Sequence, residues 1–305
     1  MDKIDKELLR QIADLHEIPT GTVNIRKDGQ AIHTSSDSDI TIVPKKNKSG
    51  IDIIVKAGVK NKSCHIPVLL TKADFTDLVY NDFYIGEGAE VTIIAGCGIN
   101  CGGGKKSEHD GIHSFHLAKN AKVTYVEKHF ATGKEEVEKV LNPTTKIKMK
   151  EGSVFEMQSL QLGGVTYSDR KTYATLEDDA HLIIKENILT TGSQYAKTFF
   201  KVNLNGKGSS VNVISRSVAQ DSSVQEFLSN VIGNNECFGH VECDAIMTEG
   251  AKVVSTPKIV ANNVNASLVH EAAIGKIAGE QLVKLMTMGL TKEQAEEMII
   301  KGYLK

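Results

Sequence analysis

Apolar and polar positions along this chain change period twice. Over residues 2–16 Ile4, Leu8, Ile12 and Leu15 recur at three- and four-residue spacing, which predicts an amphipathic helix. Pro19-Thr20-Gly21 breaks it. From about residue 22 the period falls to two, in short strands separated by Gly, Asn, Asp and Lys turns. Before residue 276 only the window 221–231 carries a weakly helical pattern. The alternation ends within 267–277, SLVHEAAIGKI, where a helical pattern takes over with His270 and Glu271 at the join.

The strands repeat. GAEV (88–91), NAKV (120–123), GSVF (152–155), DAHL (179–182), GSSV (208–211), GAKV (250–253) and NASL (265–268) share one plan. A turn residue precedes Ala or Ser, and an aliphatic residue or Phe two places later opens a strand. The small residues fall at 89, 121, 153, 180, 209, 251 and 266. Several gaps near 30 residues mark a stacked architecture in which each coil buries its apolar face only against the next. A β-sandwich also uses many short strands, but its hairpins bring turn signals about every 8–12 residues. Asn205-Gly206 is the single Asn-Gly here, and the repeat is longer. The pattern points to a parallel β-helix.

Near the C-terminus, 280–288 places Leu282, Leu285 and Met286 on one helical face, with Gly289 as the stop. Thr291 and Gln294 form a capping box for a second helix carrying Ala295, Met298 and Ile299 and closed by Gly302. A short hairpin of two such helices must lay its apolar faces on the β body or on another protein. The organisation expected is an N-terminal helix in 1–21, a β-helix core over 22–268 and a helical segment over 269–305.

Composition narrows the function classes. Lys plus Arg number 36 against 38 Asp plus Glu, so no charge excess points to nucleic acid or to an anionic membrane. No apolar stretch approaches the roughly 18 residues of a membrane span, and the N-terminus lacks the apolar block of a signal peptide. A cytoplasmic protein is the expectation. Trp is absent and aromatics are few, so Val, Ile, Leu and Ala must fill the core. The five cysteines, 64, 97, 101, 237 and 243, are odd in number and irregularly spaced, as free, ligating or reactive thiols are.

The run CGINCGGGKKS (97–107) fails as a phosphate loop, because the opening Gly of G-x-x-x-x-G-K-[ST] would fall at Ile99 and the hydroxyl at Lys106. Cys97 and Cys101 with His109, His113 and His116 have spacings seen in zinc sites. The alternative is a solvated Gly-rich loop with thiols present by chance. In NNECFGHVECDAI, Cys237, His240 and Cys243 fall within seven residues, and His270-Glu271 follows about one repeat later. A coil stack would let thiolate, imidazole and carboxylate converge where it ends, a donor set suited to iron or zinc. Against this, Cys243 serves equally as an inward-facing small hydrophobe, and HEAAI lacks the second His of H-E-x-x-H.

From Cys243-Asp244 through VHEAAIGKIAGEQLVKLMTMGLTKEQAEEMIIKGYL the chain resembles the SufB/SufD family of iron–sulfur cluster assembly proteins. The likeness rests on the Cys-Asp pair, the His-Glu pair, Lys276-Ile277, Gln281-Leu282 and the two-helix ending with Gly-Leu-Thr. It extends over the repeat body from about residue 80 and is weaker before that. This chain is similar to the compact single-scaffold form. The Cys-rich N-terminal motif of some longer SufB proteins has no counterpart in residues 1–63, which contain no Cys. The resemblance implies a right-handed parallel β-helix with helical ends, and a SufC-like ABC ATPase docked on the C-terminal helices. It implies a transient iron–sulfur cluster with Cys243 and Glu271 as its matched positions and His270 as a weaker transfer. Cys237, His240 and the Cys97, Cys101, His109, His113 group come from spacing alone. The implied activity is a SufB-like scaffold that passes clusters to recipient apo-proteins and is itself no enzyme. Partnership as a homodimer, or as a heteromer with a paralogue, is expected from exposed β-helix edges. The rival reading is a SufD-like structural subunit that anchors the ATPase without a cluster. A carbohydrate-active β-helix is disfavoured by the scarcity of aromatic sugar platforms.

Overall fold

The computed structural model describes residues 1–161 and 163–304. Helix α1 (Lys3–Ala13) opens with a capping box between Asp2 and Asp5 and closes at Asp14 in left-handed backbone. It ends before Leu15, and Ile4 faces solvent. Leu8, Leu9, Ile12 and Ala13 are buried against the β body. Strands follow as β1 (Thr22–Lys27), β2 (Gln30–Ser35), β3 (Ile40–Pro44), β4 (Gly50–Val55), β5 (Lys62–Leu70) and β6 (Phe75–Ile85). Next come β7 (Glu90–Cys101), β8 (Lys106–Leu117), β9 (Lys122–Gly133), β10 (Glu138–Leu141) and β11 (Thr144–Met149). The later rungs are β12 (Val154–Gln161), β13 (Tyr167–Leu176), β14 (His181–Thr190), β15 (Tyr195–Leu204) and β16 (Ser210–Ala219). The last are β17 (Val224–Gly233), β18 (Phe238–Met247), β19 (Lys252–Ala261) and β20 (Ser267–Gly275), before helices α2 (Gly279–Thr287) and α3 (Lys292–Tyr303).

Successive rungs alternate between two sheets. One runs β2-β1-β5-β7-β9-β12-β14-β16-β18-β20, the other β19-β17-β15-β13-β10-β8-β6-β4-β3, with β11 beside β8 and β13. Apart from the antiparallel pairs β1–β2 and β3–β4, the ladders are parallel. This is the parallel β-helix that the repeat implied. Alternate side chains of each rung point into the stack, and the inner columns form a continuous apolar core from Ile40 to Cys243.

The corner motif has a steric basis. Gly88, Asn120, Gly152, Asp179 and Gly208 all adopt positive φ, and the Ala or Ser after each is fully buried. Register stacks these corners, and it also supplies the one that the pattern skipped: Cys237 lies between Ser209 and Ala266. Its buried thiol fills the small-residue position of a corner, which is a packing role. The corner at 251 belongs to the opposite sheet. The window 221–231 is strand, not helix: Asp221 turns the chain at positive φ, Ser223 is the buried corner residue and β17 follows.

Three boundaries also differ from expectation. β20 continues through His270 and Glu271 to Gly275, so the pair lies within a rung and the β body ends later than 268. Gly302 lies inside α3. Cys97, Gly98, Ile99 and Cys101 belong to β7, so this part of the Gly-rich run is no loop. Gly96 and Gly98 of β7 make room for α1, since a Cβ at Gly96 would stand 2.5 Å from the Ile12 carbonyl oxygen.

Candidate functional site

Two places carry chemistry: the last coil and a polar cluster inside the stack. In the last coil β18 and β20 pair so that Val241 faces His270, Glu242 faces Glu271 and Cys243 faces Ala272. Side chains alternate across a strand. Cys243 and His270 therefore share the inner face, on adjacent rungs, whereas Glu271 and His240 share the outer face. The register puts thiol and imidazole on one face and the carboxylate on the other, because an odd residue offset places Glu271 on the opposite side of the sheet.

On the inner face Cys243 is 2% exposed, and burial pushes its thiol up to about 11. It stacks on Ser215, whose hydroxyl donates to Glu186 at 3.0 Å. Both ring nitrogens of His270 are buried without a hydrogen-bond partner, and burial lowers its pKa. Leaving such polar atoms unpaired costs about 1–3 kcal/mol, and among the described residues no rung follows β20 in its sheet. On the outer face His240 Nδ1 lies 3.0 Å from Asn212 Oδ1 and its Nε2 3.8 Å from Glu271 Oε2. Asp244, beside Cys243, accepts from the Ala273 amide at 3.1 Å and clips β20 to β18.

The polar cluster is threaded through β8, β9, β13 and β14. Arg170, buried, bonds Glu127, donates to His129 Nδ1 at 2.9 Å and stands 3.6 Å from Glu186. Tyr125 donates to Glu127 at 2.9 Å and lies 2.6 Å from His113 Nδ1. Glu127 is held well below the usual carboxylate range: burial opposes this, and the Arg170 guanidinium outweighs it. Glu186 is shifted upward, chiefly by burial. Burial lowers His113 to about 4 and His129 to about 3. Spacing did not single out Tyr125, Glu127, His129, Arg170 or Glu186. The available signal was polar residues at every second position of YVEKH, on the face that should be apolar.

Of the predicted 97–116 group, Cys97, His109 and His113 line one small cavity. Cys101 points elsewhere, with its thiol 2.9 Å from the Ser107 hydroxyl. His116 is on the outer face, stacked on Tyr84 at 5.1 Å. Among the described residues no three His, Cys, Asp or Glu side chains stand close enough to hold a metal ion as arranged, and no helix is long and apolar enough to cross a membrane.

The family model described as "SUF system FeS cluster assembly, SufBD core domain" matches residues 76–303. An iron–sulfur cluster assembly SufBD family protein of Methanocaldococcus jannaschii is 28% identical over 285 residues, covering 92% of this chain and 89% of that protein. SufBD family proteins of Archaeoglobus fulgidus and Methanothermobacter thermautotrophicus are 31% and 28% identical over 74% and 72% of this chain, which spans 60% and 53% of their lengths. With a family model covering most of its rungs and both C-terminal helices, the chain belongs to the SufBD core family of the SUF iron–sulfur cluster assembly system.

Proposed function

We propose that this chain is a SufB-like scaffold on which iron–sulfur clusters are built and released, in company with a SufC-like ABC ATPase. The observation that carries the reading is the placement of the Cys243 thiol and the unpartnered His270 imidazole on one inner face, on adjacent rungs at the end of the sheet. The buried thiol is protonated at neutral pH. Binding iron or accepting sulfur requires losing that proton, and His270 is the base on the same face. Glu271 reaches the thiol's side only if β20 shifts by one residue, which would exchange its two faces.

The C-terminal hairpin supports the ATPase partnership. No residue of α2 is buried, and Val283, Met286 and Met288 are exposed. The end of α3 rests on the β body: the Leu304 carbonyl accepts from Asn187 of β14 at 3.2 Å. The Tyr303 phenol is pushed up by burial first and by Asp244 next. A partner that moves the hairpin therefore pulls on β20, which leads into α2 and is laddered and clipped to β18, the strand that carries Cys243 and Asp244. The open coil, with edge strands β19 and β20, is the surface on which a second copy or a paralogue would complete the site.

Anaerobic co-expression with the ATPase, followed by iron and acid-labile sulfide assays, tests the reading. Wild type is expected to carry both, and Cys243→Ser to lose both while still binding the ATPase. A wild type that binds the ATPase and never holds a cluster would instead be a SufD-like structural subunit, a role that the outward-facing Glu271 favours.

A further inference from the structure

The sheet that runs from β19 to β3 gathers tyrosines on its outer face. Aromatic residues make up only 5% of the sequence, yet of its seven tyrosines Tyr80, Tyr84, Tyr167, Tyr173 and Tyr195 point outward from β6, β13 and β15. Tyr84, Tyr167 and Tyr173 are 44%, 41% and 36% exposed. The helices that rest on the stack lie elsewhere: α1 packs on β5, β7 and β9, and the end of α3 on β14, all of the other sheet. Tyrosine is enriched in protein–protein interfaces, where its large ring is buried and its hydroxyl finds a partner.

Lysines stand among these rings. The register puts Lys146 of β11, Tyr173 of β13 and Lys201 of β15 in one column, so the two lysines are two rungs, about 10 Å, apart. Lys148 lies about 7 Å from Lys146 along β11 and pairs with His116, on which Tyr84 is stacked. The neighbouring carboxylates are engaged: Asp82 with Lys45, Asp169 with Lys171, Glu177 with Lys150 and Glu226 with Lys197, while Asp110 accepts from Asn142. Among the described residues no carboxylate pairs with Lys146, Lys148 or Lys201. Burial first, and the Lys148 ammonium next, lower the pKa of His116, as positive charge in excess does. Beside Lys148 a groove of about 240 Å³ runs past Lys150, Thr175 and Glu177.

Ring orientation decides the class of partner. Tyr84 stacks on His116 at 5.1 Å with planes 9° apart, and Tyr167 on Tyr195 at 5.2 Å with planes 12° apart. Those separations are close to the spacing between rungs, so the rings stand upright and turn edges and hydroxyls, not flat faces, to solvent. A stacked base needs a flat face, and a phosphate backbone would also meet the interleaved carboxylates. Upright hydroxyl-tipped rings with ammonium groups between them fit carboxylates. We propose that this face binds a protein partner through an acidic surface, with Lys146, Lys148 and Lys201 on its carboxylates and Tyr84 and Tyr173 as the rings it covers. The face is separate from the last coil and from the C-terminal hairpin, so it stands whether or not the chain holds a cluster.

Fluorescence anisotropy of the full chain with labelled poly-L-glutamate at low salt tests this, with single-stranded oligothymidylate as the comparison polyanion. Wild type is expected to bind poly-L-glutamate more tightly than oligothymidylate, and added salt to weaken that binding. The triple variant Lys146→Glu, Lys148→Glu, Lys201→Glu should weaken it more than about tenfold. Lys122→Glu, Lys185→Glu, Lys284→Glu makes the same change of charge on the other sheet and on α2, and should bind as wild type does. Tyr84→Ala, Tyr173→Ala removes the rings at constant charge and should weaken binding at unchanged melting temperature. Equal losses in the two triple variants, tighter binding of oligothymidylate, or a wild type that binds no poly-L-glutamate overturns the assignment.

Discussion

Arg170 sits between two buried carboxylates and a histidine, where removal of one partner strands the others. Replacing it with Met leaves Glu127 and Glu186 without their cation, and is expected to cost about 3–5 kcal/mol in urea denaturation. The same cluster sets a pH dependence. His113 and His129 are neutral in the fold, with values lowered to about 4 and about 3, and bind protons near 6.5 when unfolded. The unfolded chain thus holds more protons between these limits, so stability should fall as pH drops through 6.5 towards 4. A His113→Asn, His129→Asn double variant should flatten that slope in denaturation series across this range. Thiols separate in the same way by environment. Cys237 fills a corner that other coils fill with Ser209 or Ala266, so Cys237→Ser should keep wild-type iron and sulfide content. Composition could not make that distinction, because the two cysteines fall six residues apart in one motif and only register shows which packs a corner.

At the scale of elements, α1 is held by a face that its own pattern announced and by glycines whose purpose the pattern hid. Gly96→Val should push Ile12 off β7, lower the melting temperature and expose residues 1–21 to limited proteolysis, because the first heavy atom added would already stand 2.5 Å from a helix carbonyl. The helices were legible from 3.6-residue periodicity and, at α3, from the box that Thr291 closes with Gln294; the Asp2–Asp5 box at α1 emerged only in the structure. β17 was misread because Val224, Phe227, Leu228 and Val231 recur at the three- and four-residue spacing of a helix, and the corner before it, Asp-Ser-Ser, carries one residue more than the motif. At α2 the exposed methionine face predicts a separable defect: Met286→Asp should weaken ATPase capture in a pull-down while leaving the melting temperature unchanged.

On the scale of the whole molecule, the solenoid is a column of short-range decisions with one open end. Each coil is covered by the next; among the described residues no rung follows β20, and Ile274 on its inner face is exposed while Leu268 packs on the core. If a second copy covers it, sedimentation equilibrium should show a dimer in wild type and a monomer in Ile274→Asp. An unchanged dimer would place the contact elsewhere. This surface had no local signal in the chain, because a rung reads the same whether or not another follows it.

What the amino-acid sequence determined by itself was the coil: the two-residue period, the small buried corner residue and the turn before it recur because every rung meets the same steric problem. It also carried the ends, through capping and amphipathic faces. What only the tertiary structure decided was which side chains meet. A one-residue difference in register sends Glu271 outward and His270 inward beside Cys243, and only the stack brings Arg170 to Glu127, forty-three positions away in the chain. Periodicity specifies a rung; the alignment between rungs is a property of their packing, and the chemistry of this protein is built across that alignment.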